Sequence, residues 1–300
     1  MRGNLKCKFI FAANKCSILL LVCGSFIIWL LLEIFCITSF HVPTGSMEPT
    51  LIAGDVIWVN KLVYGARIFN LWDAVNEKDL IIKRLPGIRQ IARNDVVVFN
   101  NPYPEKRDKH IRLDLLSYYV KRCVALPGDT FVIKKGQYEV LGCNIPLGNV
   151  KSQKTLLGRL EYEEDKNKCV GGGIQVYPND SLIGWTVKAF GPFYVPNAGG
   201  VIPMNYMNMV LYKRVMEWEQ KQKVEFCYGK VYLGSQEIKE YRFLKNYYFV
   251  VGDKTESSCD SRYWGLLPEE FIVGKVSWIG MSKDMDTGKI RWDRIGTKVK

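Results

Sequence analysis

Histidine is almost missing from this chain: of 300 residues only His41 and His110 carry an imidazole. Neither is placed to activate a serine. His41 stands in an extended exit segment five residues before Ser46, and His110 ends the charged run Glu105-Lys-Arg-Asp-Lys-His110, which disfavours Ser-His-Asp chemistry. A Gly-x-Ser-x-Gly elbow is missing too, because Met47, Glu48 and Pro49 follow Ser46, so an α/β-hydrolase is disfavoured. Nine cysteines are present but no CxxC pair. Cys7, Cys16, Cys23 and Cys36 fall in the first 40 residues; Cys123, Cys143, Cys169, Cys227 and Cys259 are odd in number and widely spaced. That pattern gives neither a disulfide framework nor a zinc site. One pair among Cys143, Cys169 and Cys227 is open to an oxidising compartment, and the sequence does not choose it. No ligand cluster implies a metal and no phosphate loop a nucleotide, so no cofactor is expected. No internal period suggests a solenoid or propeller.

Acidic residues are outnumbered, 30 against 42 Lys and Arg, for a net charge of +12. Four of the basic residues, Arg2, Lys6, Lys8 and Lys15, form an N-terminal arm with no acidic residue among them. The 25 residues from Cys16 to Phe40 then contain one charged side chain, Glu33, and the core Ile18–Leu32 is unbroken. About 20 apolar residues suffice to span the ~30 Å hydrocarbon layer. A secretory signal peptide is the alternative, but its apolar region runs only about 7 to 15 residues, and Thr38-Ser-Phe-His41 makes a poor cleavage site. The expectation is a cytoplasmic arm over 1–15, one transmembrane helix over 16–40, and an extracytoplasmic part over 41–300, oriented by the positive-inside rule. Glu33 is expected to reach toward the headgroups. The exported part remains basic, which favours contact with anionic phospholipids. Nucleic acid, the other usual partner of a basic chain, fits poorly with an outward-facing anchor and no binding motif.

Beyond the anchor the pattern is β-rich, in short runs separated by Gly, Pro and Asn: Asp55–Asn60, Asn94–Phe99, Tyr118–Ala125, Thr130–Ile133, Tyr247–Val251 and Phe271–Trp278. Gly-Asp or Asn-Asp pairs at Gly54-Asp55, Asn94-Asp95, Gly128-Asp129 and Gly252-Asp253 mark turns beside them. One segment, Asn205–Lys223, has helical amphipathic spacing. Upstream of it, the glycine-rich, irregular stretch containing Gly171-Gly-Gly173 and Gly199-Gly200 reads as part of an inserted cap, placed at about 134–245. The fold expected is mostly β, one catalytic core plus that cap.

Three places carry chemistry. Ser46 lies in the rigid turn Pro43-Thr-Gly-Ser-Met-Glu-Pro-Thr-Leu51, six residues past the apolar run, so any reaction there happens at a membrane surface. Lys121 lies on a strand whose period of two puts Tyr119, Lys121, Cys123 and Ala125 on one face, apart from Arg122. A free lysine has a pKa of about 10.4, and burial lowers it by disfavouring the ammonium. A desolvated lysine beside a serine hydroxyl can act as its general base, whereas an ordinary strand lysine snorkels to solvent. The third place is the polar loop Gly252-Asp-Lys-Thr-Glu-Ser-Ser-Cys-Asp-Ser-Arg-Tyr-Trp-Gly265, which on its own reads as an Asx-rich turn.

Together these segments resemble the type I signal peptidases, the bacterial leader peptidases with a Ser-Lys dyad. Ser46–Leu51 is similar to their serine box, Tyr119–Asp129 to their lysine box and Gly252–Gly265 to their Gly-Asp box, in the same order after an anchor. The resemblance implies a coiled antiparallel sheet, with Ser46 as nucleophile and Lys121 as general base. It implies an oxyanion hole from the Thr44 side chain and the Ser46 N–H, a Ser258 hydroxyl orienting the lysine amine, and a supporting Asp260–Arg262 ion pair behind Gly252 and Asp253. The substrate implied is the signal peptide of an exported preprotein, cleaved through an acyl-enzyme at the outer face of the bacterial cytoplasmic membrane. The peptide would enter as a strand along an exposed sheet edge. Two departures stand out. Lys254-Thr-Glu-Ser257 replaces the Asn-Arg-Asp-Asn run usual in the family, and Cys123 and Cys259 stand at positions of small aliphatic residues. Two other readings compete: a catalytically silent β-rich membrane scaffold of the same fold, and a self-cleaving Ser-Lys repressor, which the first 45 residues exclude.

Overall fold

The computed structural model describes residues 20–70, 72–73, 80–103, 110–165 and 176–300. The arm over 1–15, most of the Glu105–His110 run, Gly171–Gly173 and Cys169 lie outside them.

Helix α1 covers residues 20–35. Among the described residues no helix is long and apolar enough to cross a membrane. The expected helical span over 16–40 is corrected at its outer end, where a strand begins. Residues 37–41 leave the helix and form strand β1 (Ile37–His41), whose Thr38 pairs with Val59. The physical reason is local: Ile37 and Thr38 are β-branched and prefer a pleated backbone. Lys61 Nζ also stops the helix by donating to the carbonyls of Glu33 and Ile34. Glu33 is not left for headgroups alone, since its carboxylate accepts the Thr38 hydroxyl at 2.6 Å.

The strands that follow are β2 (Asp55–Asn60), β3 (Arg67–Ile68), β4 (Lys83–Arg84), β5 (Val96–Asn100), β6 (Tyr118–Ala125), β7 (Thr130–Lys134), β8 (Gln137–Val140) and β9 (Phe190–Tyr194). After them come β10 (Val201–Pro203), β11 (Val224–Cys227), β12 (Lys230–Leu233), β13 (Gln236–Ile238), β14 (Glu240–Arg242), β15 (Tyr247–Val251), β16 (Leu267–Pro268) and β17 (Ile272–Ser282). Helices α2 (Val150–Asp165) and α3 (Tyr206–Gln220) lie between β8 and β11, and a short α4 (Ser261–Trp264) precedes β16. The mostly β expectation holds. Helix α3 starts at the cap Asn205, whose side chain accepts from Asn208 N–H. Helix α2 corrects the irregular reading of its region: Lys151, Gln153, Lys154, Leu156 and Leu157 are good helix formers that a glycine-rich downstream stretch obscured.

Seven strands make the main sheet, in the order β1-β2-β17-β5-β6-β15-β16, with antiparallel pairing throughout. Its two faces bury two cores. Val96, Val98, Ile57 and Val59 join Val42, Met47 and Leu51 on one face, while Val97, Phe99 and Cys123 join the larger aromatic core on the other. Such alternation is what a sheet buried on both faces requires. The sheet also curls. Register shifts interrupt β17 at Ile272/Gly274, Val276/Trp278 and Ile279/Met281 and β15 at Phe249/Val250, and bulges bend strands and increase twist. Curling brings β1 back toward β6, with three strands between them in the order, so that the Phe40 and Tyr118 rings meet with centroids 4.7 Å apart.

That curl leaves a gap with two open edges. Strand β1 ends the sheet, so its outer edge has no ladder partner among the described residues. On β6, strand β15 pairs only with Arg122, Cys123 and Ala125, so Tyr118–Lys121 lack a ladder partner on that side among the described residues.

Candidate active site

Ser46 enters this gap from the turn after β1, and Lys121 enters it from β6. The turn is fixed by its apolar neighbours: Met47 and Leu51 are buried in the core on either side of Pro49, and Leu51 N–H bonds the Met47 carbonyl. Ser46 is left half-buried at the surface of the gap.

Lys121 Nζ is hydrogen-bonded to Ser46 Oγ at 2.6 Å. The lysine is only 5% exposed, and its amine lies over the Tyr119 ring at 5.9 Å, as two residues sharing a strand face should. Burial pushes its pKa below the ordinary lysine value, against the opposing pull of Asp260 and with help from Arg262. The snorkelling alternative is therefore not the one this side chain adopts.

The Gly252–Gly265 loop forms the floor. A Cβ on Gly252 would lie 2.1 Å from Ser258 Oγ and 2.6 Å from the Ser46 carbonyl oxygen, so only glycine admits the two segments at this closeness. Asp253 is fully buried and forms a two-bond ion pair with Arg122, 2.7 Å from Nε and 2.6 Å from Nη2, while accepting the Thr50 hydroxyl at 2.5 Å. Asp260 and Arg262 are both wholly buried and joined by two bonds of 2.8 Å. Asp260 also accepts the Gly252 N–H at 2.9 Å, and Arg262 donates to the Thr255 carbonyl. Burial would raise the Asp260 pKa, but the Arg262 charge and these bonds hold it below the usual carboxylate value.

Other expected residues stand differently. Ser258 is buried beside Gly252, but its hydroxyl does not make the expected bond to the Lys121 amine. The amine spends its short contact on Ser46 instead. Thr44 is exposed in the same turn as Ser46. Cys143 and Cys227 carry no disulfide, and Cys123 is a buried thiol pushed above the ordinary range by burial, a packing residue. Sequence reasoning missed Arg122, Thr50, Glu48 and Ser152. Arg122 had a usable signal, because a buried Asp253 in a Gly-Asp turn needs a cation and Arg122 points away from Lys121 on the adjacent strand.

The family model described as signal peptidase, peptidase S26, matches residues 15–281. Signal peptidase I of Buchnera aphidicola subsp. Schizaphis graminum is 30% identical over 91% of this chain and 78% of its own length. The Buchnera aphidicola subsp. Acyrthosiphon pisum enzyme of the same name is 27% identical over 89% and 78%. That of Haemophilus influenzae is 25% identical over 90% and 72%. With a match of this extent, the chain belongs to the signal peptidase family, peptidase S26, and is a serine endopeptidase.

Proposed function

We propose that this chain is a membrane-anchored signal peptidase that removes N-terminal signal peptides from exported preproteins, with Ser46 as nucleophile and Lys121 as general base. The observation that carries the reading is the 2.6 Å contact between a buried amine and a serine hydroxyl at the bottom of an open gap. Ser46 Oγ attacks the scissile carbonyl carbon while its proton passes to the neutral Lys121 Nζ. The tetrahedral oxyanion takes bonds from the Ser46 N–H and the Thr44 hydroxyl, donors of a kind worth about 3 to 4 kcal/mol. Lys121 then returns the proton to the leaving amine nitrogen as the C–N bond breaks. Water, giving a proton to Lys121, hydrolyses the acyl ester, and Ser46 recovers its hydrogen. Ser258, Asp260, Arg262 and Asp253 keep the floor in place and touch no substrate atom.

The peptide binds as an added strand between the open edge of β1 and the open half of β6, where main-chain groups on both sides await partners. The anchor is the apolar run through α1, whose Leu20, Phe26, Ile28 and Trp29 are more than half exposed. Its apolar surface continues past Ile37 into a groove of about 350 Å³ lined by Trp58 and Trp278. Tryptophans at such an edge suit the headgroup level of a phospholipid bilayer. The topology is single-pass, in the bacterial cytoplasmic membrane, with the N-terminus in the cytoplasm and the catalytic domain outside.

Incubation of the detergent-solubilised protein with a radiolabelled preprotein tests the reading. Signal-peptide removal is expected, whereas a silent scaffold of the same fold leaves the preprotein intact. Activity should also rise with pH as Lys121 loses its proton, along an acid limb set below the ordinary lysine pKa because burial disfavours the ammonium. A rate that climbs only near the free-lysine value, or is flat through neutrality, removes Lys121 from the role of base.

A further inference from the structure

The segment Lys254–Ser257 departs from its family, and it is also the stretch that leads from Asp253 to Ser258. Its own backbone gives it one internal bond, Ser257 N–H to the Lys254 carbonyl. The rest of its support comes from elsewhere in the chain. On one side, Lys254 N–H donates to the Ser46 carbonyl at 3.1 Å, and Lys254 Nζ pairs with Glu48 at 2.6 Å. Glu48 belongs to the nucleophile's own turn. On the other side, Thr255 N–H donates to Ser152 Oγ at 2.9 Å. Ser152 lies in the first turn of α2, within the region read as a cap.

That first turn is itself well fixed. Asn149 accepts the Ser152 N–H, and the buried Gln153 joins the Leu147 carbonyl to the Tyr138 N–H of β8. Thr255 is 2% exposed, so its N–H has no water to turn to if Ser152 Oγ is removed. Displacement of Thr255 moves Ser258 and the Arg262 contact to the Thr255 carbonyl with it. Those groups adjoin Gly252, against which the Ser46 carbonyl rests.

We propose that Glu48 and Ser152 are positioning residues, clamping the Lys254–Ser257 segment from the nucleophile's turn and from α2 so that Ser46 and Lys121 keep their contact. The inserted region thereby takes part in catalysis at a distance, without contact with the peptide. Lys254 stands where the usual family run begins with a neutral Asn, so the ion pair with Glu48 belongs to this chain's own version of the loop. A partly exposed pair of this kind is salt-sensitive, while the part-buried, uncharged Ser152 contact is not.

The inference rests on the Ser46–Lys121 reading, so Lys121→Met is run alongside as its control. Ser152→Ala should lower kcat on the order of tenfold with KM unchanged, since a small misplacement at a reacting pair is costly. Its acid limb should move toward the ordinary lysine value as the amine gains water. Ser152→Thr, which keeps the oxygen, should restore both. Glu48→Gln should lower kcat about threefold and abolish the loss of rate that added salt causes in the wild type, and the exchanged pair Glu48→Lys with Lys254→Glu should recover most of it. If Ser152→Ala does not fold, Ser152→Cys weakens the same acceptor at nearly constant size and carries the same readout. Wild-type kcat and acid limb in Ser152→Ala, whatever its melting temperature, overturn the clamp on the α2 side. The same values with unchanged salt response in Glu48→Gln overturn it on the other. An active Lys121→Met would instead sink the dyad, a separate failure.

Discussion

Lys121→Met should lose preprotein cleavage by about 10³- to 10⁴-fold while leaving the fold in place, because methionine fills the buried volume and lacks only the proton acceptor. Ser46→Ala should lose as much, and the double variant should be little worse than either, since the two groups act as a unit. The site geometry makes this demand: among the described residues Lys121 Nζ is the base hydrogen-bonded to Ser46 Oγ, and the two histidines lie elsewhere, His41 on β1 and His110 beyond β5. Single-turnover cleavage of a preprotein, read beside a far-ultraviolet spectrum of each variant, is the measurement. A folded Lys121→Met protein that retains a tenth of the wild-type rate would falsify the mechanism.

Arg262→Met should be the most destabilising single change at the site, at about 3 to 5 kcal/mol. Asp260 and Arg262 have no exposed side-chain surface, so removing the guanidinium leaves a carboxylate with its charge deep in the protein. The backbone N–H groups of Gly252 and of residue 262 still reach Asp260, but these two neutral bonds do not replace two charge-assisted ones. Urea denaturation followed by tryptophan fluorescence measures the cost. The companion variant Asp260→Asn with Arg262→Met should recover part of it, because the stranded charge is then gone. Recovery that fails to appear would mean that the pair acts mainly by filling space.

Much of the core sheet was legible in the sequence, since β2, β6 and β15 begin and end where their β-branched and aromatic runs do. Those segments are locally consistent, with short apolar runs closed by Gly-Asp or Asn-Asp turns. Strand β1 was not legible, because the β-branched pair Ile37-Thr38 is too short a signal directly behind the apolar run of α1, and pairing with β2 carries the strand on to His41. The same is true of α2, whose helix-forming residues carry a weak apolar stripe and depend on contact with the active-site loop. At the site, Ser46 and Lys121 could be singled out because a serine in a rigid turn and a lysine on an apolar strand face are locally odd. Arg122 with Asp253 and Glu48 with Lys254 are pairs formed across more than a hundred residues of chain. Charge alone does not reveal which partner each takes.

The unfilled edges of β1 and β6 have a cost that falls after the bond is broken. Ladder bonds to main-chain amides are blind to whether the peptide beyond them is whole, so a released fragment that still lies in the gap is held almost as firmly as the uncut chain. On the proposed anchoring of α1, turnover would then depend on drawing that fragment sideways, with the adjoining lipid as the sink for its apolar stretch.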